Sequence, residues 1–145
     1  MDILSLQNPR IKHIIKLRED KKQRQRDQLM IIEGVDELNL ALESGLVPHT
    51  LLTAPELATR TIHSSQAEPL TLSRAVFEKI SYRENPDGWL GIFPLPHTAL
   101  NKIQLSTMPL IIVAESVEKP GNLGAILRTA DAAGCPAECA AAPGR

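Results

Sequence analysis

The chain is poor in aromatic residues, which make up 3% of its 145 residues. The aromatic side chains are Phe77, Tyr82, Trp89 and Phe93. RNA-recognition domains that read single strands stack bases on several aromatic rings of an open sheet face. So few aromatic residues argue against a reader of that type, and we interpret Trp89 as a core residue.

Long apolar runs and export signals are also missing. No apolar run reaches the roughly 18 residues that a membrane span requires, and the first seven residues lack a basic segment followed by an apolar one. The chain contains only two cysteines, which is typical of a reducing compartment. We therefore predict a cytoplasmic protein with no membrane partner.

The cysteines and histidines do not suggest a metal site. Cys135 and Cys139 form one C-x-x-x-C pair without a second pair, and the four histidines are scattered along the chain. A zinc site needs about four convergent ligands, so we predict no metal. Cys135 has no recognisable partner histidine, and we do not expect it to act as a nucleophile.

Positive charge is concentrated at the N-terminus. Residues 1–26 contain eight Lys/Arg and three acidic residues (net +5), whereas the remainder contains eight basic and fourteen acidic residues (net −6). A basic arm on an acidic body favours a local contact with a polyanion. A solvated helix face has the same composition, and charge alone does not decide between the two.

Apolar spacing and turn residues predict a small α/β domain. Asn8-Pro9 is typical of a helix start, and the segment 21–27, which lacks an apolar stripe, is expected to fray or turn. The other predicted elements are strands at 29–32, 50–53, 69–72 and 89–93, and helices from Val35 to Gly45 and from Ser73 to Ile80. We assign this domain to residues 1–93 and an interdomain linker to 94–109.

A second domain is predicted from 110 to 145. The apolar run 110–114 is expected to form a strand, followed by a glycine-containing turn and a helix that ends at Gly134. Asn122 is expected to cap this helix, with Leu123, Ile126, Leu127 and Ala130 facing the sheet. Arg128 is expected to project on the opposite side, near Asp131. The tail 135–145 has neither strand nor helix character.

The glycine turn does not match the common phosphate-binding motifs. It has neither the spacing nor the lysine of a P-loop, and Gly121 and Gly124 give only part of a dinucleotide fingerprint. From spacing alone, Asn122 as a plain cap and a solvated Arg128–Asp131 pair remain an open alternative to a functional site.

The segment 119–134, KPGNLGAILRTADAAG, resembles the first motif of the SpoU-type (TrmH-like) RNA 2'-O-ribose methyltransferases of the SPOUT superfamily. The match includes the core N-x-G-A-I-x-R-T-A-D. Four upstream segments are similar to the substrate-binding domain of the same family: 8–12 (NPRIK), 32–34 (IEG), 42–45 (LESG), and Ile80-Ser81 with Asn85-Pro86. The resemblance extends from about residue 8 to residue 134.

This resemblance implies methyl transfer from S-adenosylmethionine to a ribose 2'-hydroxyl of rRNA or tRNA. It assigns Arg128 as the catalytic arginine and Asn122 as a supporting active-site residue. It also favours RNA contact by the basic arm, for which we name Arg10, Lys12, Lys16, Lys21, Lys22, Arg24 and Arg26.

The later motifs of the family, which form a trefoil knot, bind the donor and build a homodimer interface, have no counterpart after Gly134. We therefore expect a small RNA-binding domain followed by the first β-α unit of an incomplete methyltransferase domain. Such a chain is expected to be inactive, to lack a donor site and to be a monomer or ill-defined in association. The alternatives are a non-catalytic RNA-binding or ribosome-associated α/β module, and a nucleotide-binding enzyme unrelated to RNA.

Overall fold

The structure is a computed structural model, and it describes residues 5–63, 67, 69–96, 107, 109, 111–134 and 140–141. The chain forms two compact units, residues 1–95 and 96–145. Within the described residues, no helix is both long and apolar enough to cross a lipid bilayer.

The first unit is a mixed α/β domain with one four-stranded sheet. Its elements are α1 (Pro9–Glu19), α2 (Lys21–Asp27), β1 (Leu29–Glu33), α3 (Val35–Glu43), β2 (Thr50–Thr53), β3 (Leu70–Thr71), α4 (Arg74–Ile80) and β4 (Trp89–Pro94). The strand order is β1-β4-β2-β3. The central strand β4 pairs antiparallel with β1 and β2, and β3 pairs parallel with β2. The predicted α/β class and all four predicted strands of this unit are confirmed.

Side chains alternate along each strand, so both faces of the sheet carry apolar residues. Helices cover both of these faces. On one face, Leu52 and Ile92 belong to a cluster with residues of α1 and α4. On the other face, Leu51 and Phe93 belong to a cluster with residues of α3. Trp89 lies in this second cluster with 4% of its surface exposed, and its indole Nε1 donates to the carbonyl of Arg60 at 2.8 Å. The prediction that Trp89 is a core residue is confirmed.

The N-terminal basic segment is helical throughout most of its length. The side chain of Asn8 accepts a hydrogen bond from the backbone N–H of Arg10 at 2.9 Å, so the predicted start of α1 is confirmed. The prediction that 21–27 frays is wrong, because these residues form α2. Asp20 caps α2 by accepting from the N–H of Lys22 at 2.8 Å. Capping and side-chain hydrogen bonds thus stabilise a helix that has no apolar stripe.

The second unit contains β5 (Val113–Ala114), α5 (Pro120–Ala132) and β6 (Ala140–Ala141). The two strands pair in parallel, Val113 with Ala140 and Ala114 with Ala141. Among the described residues, β5 covers only the last two positions of the predicted strand 110–114. The prediction that the tail 135–145 forms no strand is wrong, because β6 lies within it. Backbone pairing requires no apolar side chain, so an alanine run can form this strand.

Several predictions fall partly or wholly on residues that the structure does not describe. Pro94 is the last residue of β4, and residues 97–106 of the predicted linker lie outside the described ranges. His97, Cys135 and Cys139 also lie outside the described residues.

Candidate functional site

Helix α5 begins earlier than its sequence suggests. Its N-cap is Lys119, which makes no side-chain capping bond, and Pro120 is the first helical residue. Proline fits this position because its fixed φ is helical and the first N–H has no partner in the helix. Asn122 is therefore the third residue of α5, and its prediction as the cap is wrong. Its side chain is exposed.

The side chain of Arg128 is exposed on the same helix. A Cβ built on Gly124 would lie 3.5 Å from Arg128 Nη1, so the guanidinium extends back along the preceding helical turn. Within the described part of the chain, no side-chain hydrogen bond or ion pair involves Asn122 or Arg128, and Asp131 does not pair with Arg128. Both side chains are thus available to a ligand.

The apolar side of α5 differs in part from its prediction. Ala130 is buried with 3% of its surface exposed, and Leu123 and Ile126 are half-buried. Leu127, which was predicted to face the sheet, is 44% exposed. The described strands of this unit are only two residues long, so they offer little surface for a 13-residue helix to cover.

Helices α1 and α2 present most of the basic arm to solvent. Six of its seven candidate residues are exposed: Arg10, Lys12, Lys16, Lys21, Lys22 and Arg26. Arg26 donates through Nη2 to Gln23 Oε1 at 2.5 Å and lies 3.4 Å from Asp27 Oδ1. The other cations of this group remain a continuous source of positive potential along the two helices.

Arg24 is half-buried and has a structural role. Its Nη1 donates to the carbonyls of Leu17, at 2.6 Å, and Arg18, at 3.0 Å. These carbonyls belong to the last turn of α1, where they lack partners within the helix. A cation at a helix C-terminus also interacts favourably with the helix dipole. Arg24 thereby fixes α2 against the end of α1.

Arg18, the remaining basic residue of the arm, joins α1 to α4. Its Nη1 donates to the carbonyl of Lys79 at 2.7 Å. Its guanidinium lies 5.3 Å from the centre of the Tyr82 ring, and the Tyr82 hydroxyl donates to the carbonyl of Arg18. The side chain is engaged within the domain, which agrees with its omission from the candidate RNA contacts.

A polar cluster between α1 and α2, formed by His13, Gln23 and Asp27, was not predicted from the sequence. His13 Nε2 lies 2.6 Å from Asp27 Oδ2, and Gln23 Nε2 donates to the same oxygen at 2.6 Å. These hydrogen bonds, that of His13 first, lower the pKa of Asp27 from 3.8 to about 2. The Gln23–Asp27 hydrogen bond could have been predicted, because residues four positions apart are neighbours on a helix. No sequence pattern connects His13 to Asp27, which are fourteen positions apart.

This cluster gives a pH-dependent contribution to stability. Because the folded-state pKa is lower than the unfolded one, the contribution is complete above about pH 4 and is lost as pH falls through about 2. Asp27→Asn should therefore lower the thermal midpoint at pH 7, and its difference from wild type should shrink between pH 4 and 2. Glu43→Gln, an exposed carboxylate of α3, is the control. A constant difference across this range would contradict the prediction.

Among the residues that the structure describes, no group of three or more His, Cys, Asp or Glu side chains is arranged to hold a metal ion.

A protein-family model matches most of the first unit. The model describes the "MRM3-like substrate binding domain" and covers residues 8–91. That range begins at the cap of α1 and ends within β4.

Two similar proteins illustrate the relationship at the level of sequence. An uncharacterized tRNA/rRNA methyltransferase of Synechocystis sp. is 35% identical over 147 residues, which covers 91% of this chain and 49% of that protein. The mitochondrial rRNA methyltransferase 3 of Xenopus laevis is 31% identical over 133 residues, which covers 87% of this chain and 32% of that protein. The chain thus spans between a third and a half of these relatives.

Solved structures extend the similarity to the whole chain. An RNA 2'-O ribose methyltransferase superimposes with a TM-score of 0.76 at 36% identity, covering 100% of this chain and 57% of that one. An AdoMet-bound rRNA methyltransferase from Sinorhizobium meliloti superimposes with a TM-score of 0.79 at 29% identity, covering 100% and 56%.

Proposed function

The chain belongs to the MRM3-like substrate-binding family within the SpoU-type RNA 2'-O-ribose methyltransferases, and we propose that it serves methyl transfer to a ribose 2'-hydroxyl of rRNA or tRNA. The observation that carries this proposal is the family match across residues 8–91. The match of the entire chain to methyltransferase structures supports it.

We assign different tasks to the two units. The predicted RNA-binding domain, residues 1–93 within the first unit, would hold the RNA through the exposed cations of α1 and α2, which contact phosphates without reading sequence. The linker 94–109 would lead to the opening of the methyltransferase domain, 110–145. There α5 would present Asn122 and Arg128 to the ribose.

Arg128 is suited to positioning rather than to proton abstraction. A guanidinium does not give up its proton near neutral pH, but its planar fork binds a phosphate through two charge-assisted hydrogen bonds. Gripping the phosphate next to the target ribose would align the 2'-oxygen for attack. Asn122, six residues or about one and two-thirds turns earlier on α5, offers an amide that can orient the same nucleotide.

The methyl donor of the family is S-adenosylmethionine, which supplies a methyl group on a sulfonium centre. A binding site for a ligand of this size encloses most of its surface. The described part of the second unit is one helix and two short strands, which cannot enclose it. We assign no residue of this chain to the donor, and we propose that the chain alone does not transfer a methyl group.

The test compares RNA binding with donor binding. Labelled rRNA or tRNA should bind this chain with a steep dependence on salt, and calorimetry with S-adenosylmethionine should show no heat. Donor binding by the chain alone would refute the proposal that it does not hold the methyl donor. If the RNA does not bind, the proposed task of the first unit is wrong.

A second candidate is a non-catalytic RNA-binding or ribosome-associated module. The exposed cations of α1 and α2 favour it, because they can bind RNA phosphates without a methyl donor. Joining residues 1–134 to the C-terminal half of the Sinorhizobium meliloti protein discriminates between the two. Labelling of an RNA 2'-hydroxyl by this chimera supports the enzyme, and RNA binding without labelling supports the module.

The salt dependence of RNA binding should report the basic arm directly. Each phosphate contact that is removed lowers the slope of log K against log salt by about 0.7–0.9. The double variant Lys12→Gln/Lys16→Gln is therefore expected to lower the slope by about 1.5. Arg60→Gln is a matched charge control, because Arg60 is exposed and pairs with Asp36 of α3 at 2.8 Å, away from the arm. Equal slopes for all three proteins would contradict an arm–phosphate contact.

The proposal extends to the location and the oligomeric state of the chain. We propose a cytoplasmic location, although the Xenopus relative is mitochondrial. The family resemblance implies homodimers for the relatives, and we propose that this chain alone is a monomer or ill-defined in association; a tight symmetric dimer in sedimentation would refute that.

A further inference from the structure

A cavity of about 240 Å³ lies in the first unit, between the first turns of α1 and the sheet. Its lining combines aliphatic and polar side chains: Arg10, His13, Ile14, Leu29, His49, Thr50, Leu52, Leu70 and Ile92. None of the tasks assigned above uses this cavity.

The floor of the cavity is built from all four strands of the sheet. Leu29, Leu52, Leu70 and Ile92 come from β1, β2, β3 and β4 in turn. Leu52 and Ile92 are buried, while Leu29 and Leu70 are half-buried. The floor is therefore a broad apolar surface.

The polar lining residues lie on α1 and at the start of β2. His49 Nδ1 is 3.0 Å from the hydroxyl of Thr50, and the ring of His13 is fixed by Asp27. The backbone N–H of Arg10 is used in the α1 cap, but its guanidinium makes no bond to any residue in the described ranges. Arg10 and His49 are both exposed, so the polar edge is accessible from solvent.

Size and polarity restrict the ligand that this cavity can take. Sites for drug-sized molecules begin at about 300 Å³, so a cavity of 240 Å³ suits a smaller group. A nucleobase has apolar ring faces and a polar edge, which match the aliphatic floor and the polar lining. The backbone phosphate of the same nucleotide would lie near Arg10, which belongs to the basic arm.

We propose, on the basis of the proposed function, that this cavity binds one unstacked nucleobase of a single-stranded RNA segment whose backbone follows α1. The low aromatic content is consistent with this mode, because the base is held by an aliphatic floor and polar edge contacts instead of ring stacking. The base contact adds to the phosphate contacts of the arm and makes binding depend on an unpaired nucleotide.

The test uses a short single-stranded RNA and the same RNA with one abasic site. The chain should bind the complete RNA about tenfold more tightly, because the base buries apolar surface in the cavity that an abasic site leaves exposed. Thr50→Tyr fills the cavity and should reduce this ratio to about one while leaving the affinity for abasic RNA unchanged. Leu70→Phe, which narrows the same space from β3, is a second variant in case Thr50→Tyr does not fold.

Lys12→Gln is the matched control, because Lys12 lies on α1 and does not line the cavity. It should weaken binding of both RNAs equally. Cross-linking with 4-thiouridine RNA gives an independent readout, and the cross-linked peptide should contain His49 and Thr50.

The outcomes separate this proposal from the function on which it rests. Equal affinity of wild type for both RNAs refutes the base site but leaves the phosphate contacts intact. Failure of both RNAs to bind refutes the proposed RNA contact and the base site together. Tight binding of a free nucleoside monophosphate that is unaffected by Lys12→Gln would identify a free nucleotide as the ligand and overturn the RNA assignment.

Discussion

Replacement of Arg128 by alanine is expected to lower methyl transfer to the RNA 2'-hydroxyl by about 100-fold, the usual cost of misplacing a reacting group by about 1 Å. The measurement uses the chimera with the Sinorhizobium meliloti C-terminal half, with a labelled donor and bulk rRNA. The side chain is exposed and has no partner in the described part of the chain, so its loss should leave folding unchanged. The thermal midpoint should therefore be unchanged. The loss should appear in kcat, because Arg128 is proposed to align the bound nucleotide.

Two further variants on α5 test whether the geometry of the guanidinium, and not only its charge, is required. Arg128→Lys keeps the charge but loses the two-pronged phosphate contact, so it should recover only a small part of the rate. Asp131→Ala changes a charge three residues away on the same helix and should have little effect. If Arg128→Ala retains full activity in an active chimera, the assigned role of this arginine is wrong.

Gly88→Ala is expected to destabilise the first unit by about 3–4 kcal/mol, because backbone strain and a steric clash act together. Gly88 has φ +81, and a Cβ there would lie 2.7 Å from the nitrogen of Ala58 and 2.8 Å from the carbonyl oxygen of Ala54. Both are backbone atoms, so a side-chain rotation cannot relieve the clash. The Gly88 carbonyl also accepts from the N–H of Ala54 at 2.9 Å.

Gly45→Ala isolates the backbone component of this cost. Gly45 has φ +82, almost the same conformation, but a Cβ there meets nothing within 4 Å. We expect it to cost about 1 kcal/mol. Denaturant unfolding of both variants gives the difference directly, and equal losses would show that the approach of Gly88 to residues 54–58 has no energetic effect.

Sequence periodicity was sufficient to locate the main elements of the first unit. The four strands follow from short apolar runs between turn residues, and α3 and α4 from helical spacing of residues such as Leu38 and Phe77. Helix α2 was missed because its stability comes from Asp20 and Asp27, not from an apolar face. The start of α5 was placed three residues late, because Asn122 is a common cap residue but the helix is capped at Lys119 and begins at Pro120.

The functional features were predictable to different degrees. The motif around Arg128 was recognisable because its residues are contiguous. The capping role of Arg24 and the cavity beside Arg10 were not, because each depends on residues brought together by the fold. His49 and Leu70, for example, are twenty-one positions apart in the chain and meet only through the pairing of β2 with β3.

The position of β4 at the centre of the sheet has a consequence for synthesis on the ribosome. Strands β1 and β2 do not pair with each other, and each is joined to the sheet through β4, which ends at Pro94. A nascent chain that has emerged only as far as residue 80 therefore has its helices but no partner for β1. Synthesis of residues 34–94 at about 5–20 residues per second leaves the edge of β1 unpaired for about 3–12 seconds, an interval in which a chaperone could bind it.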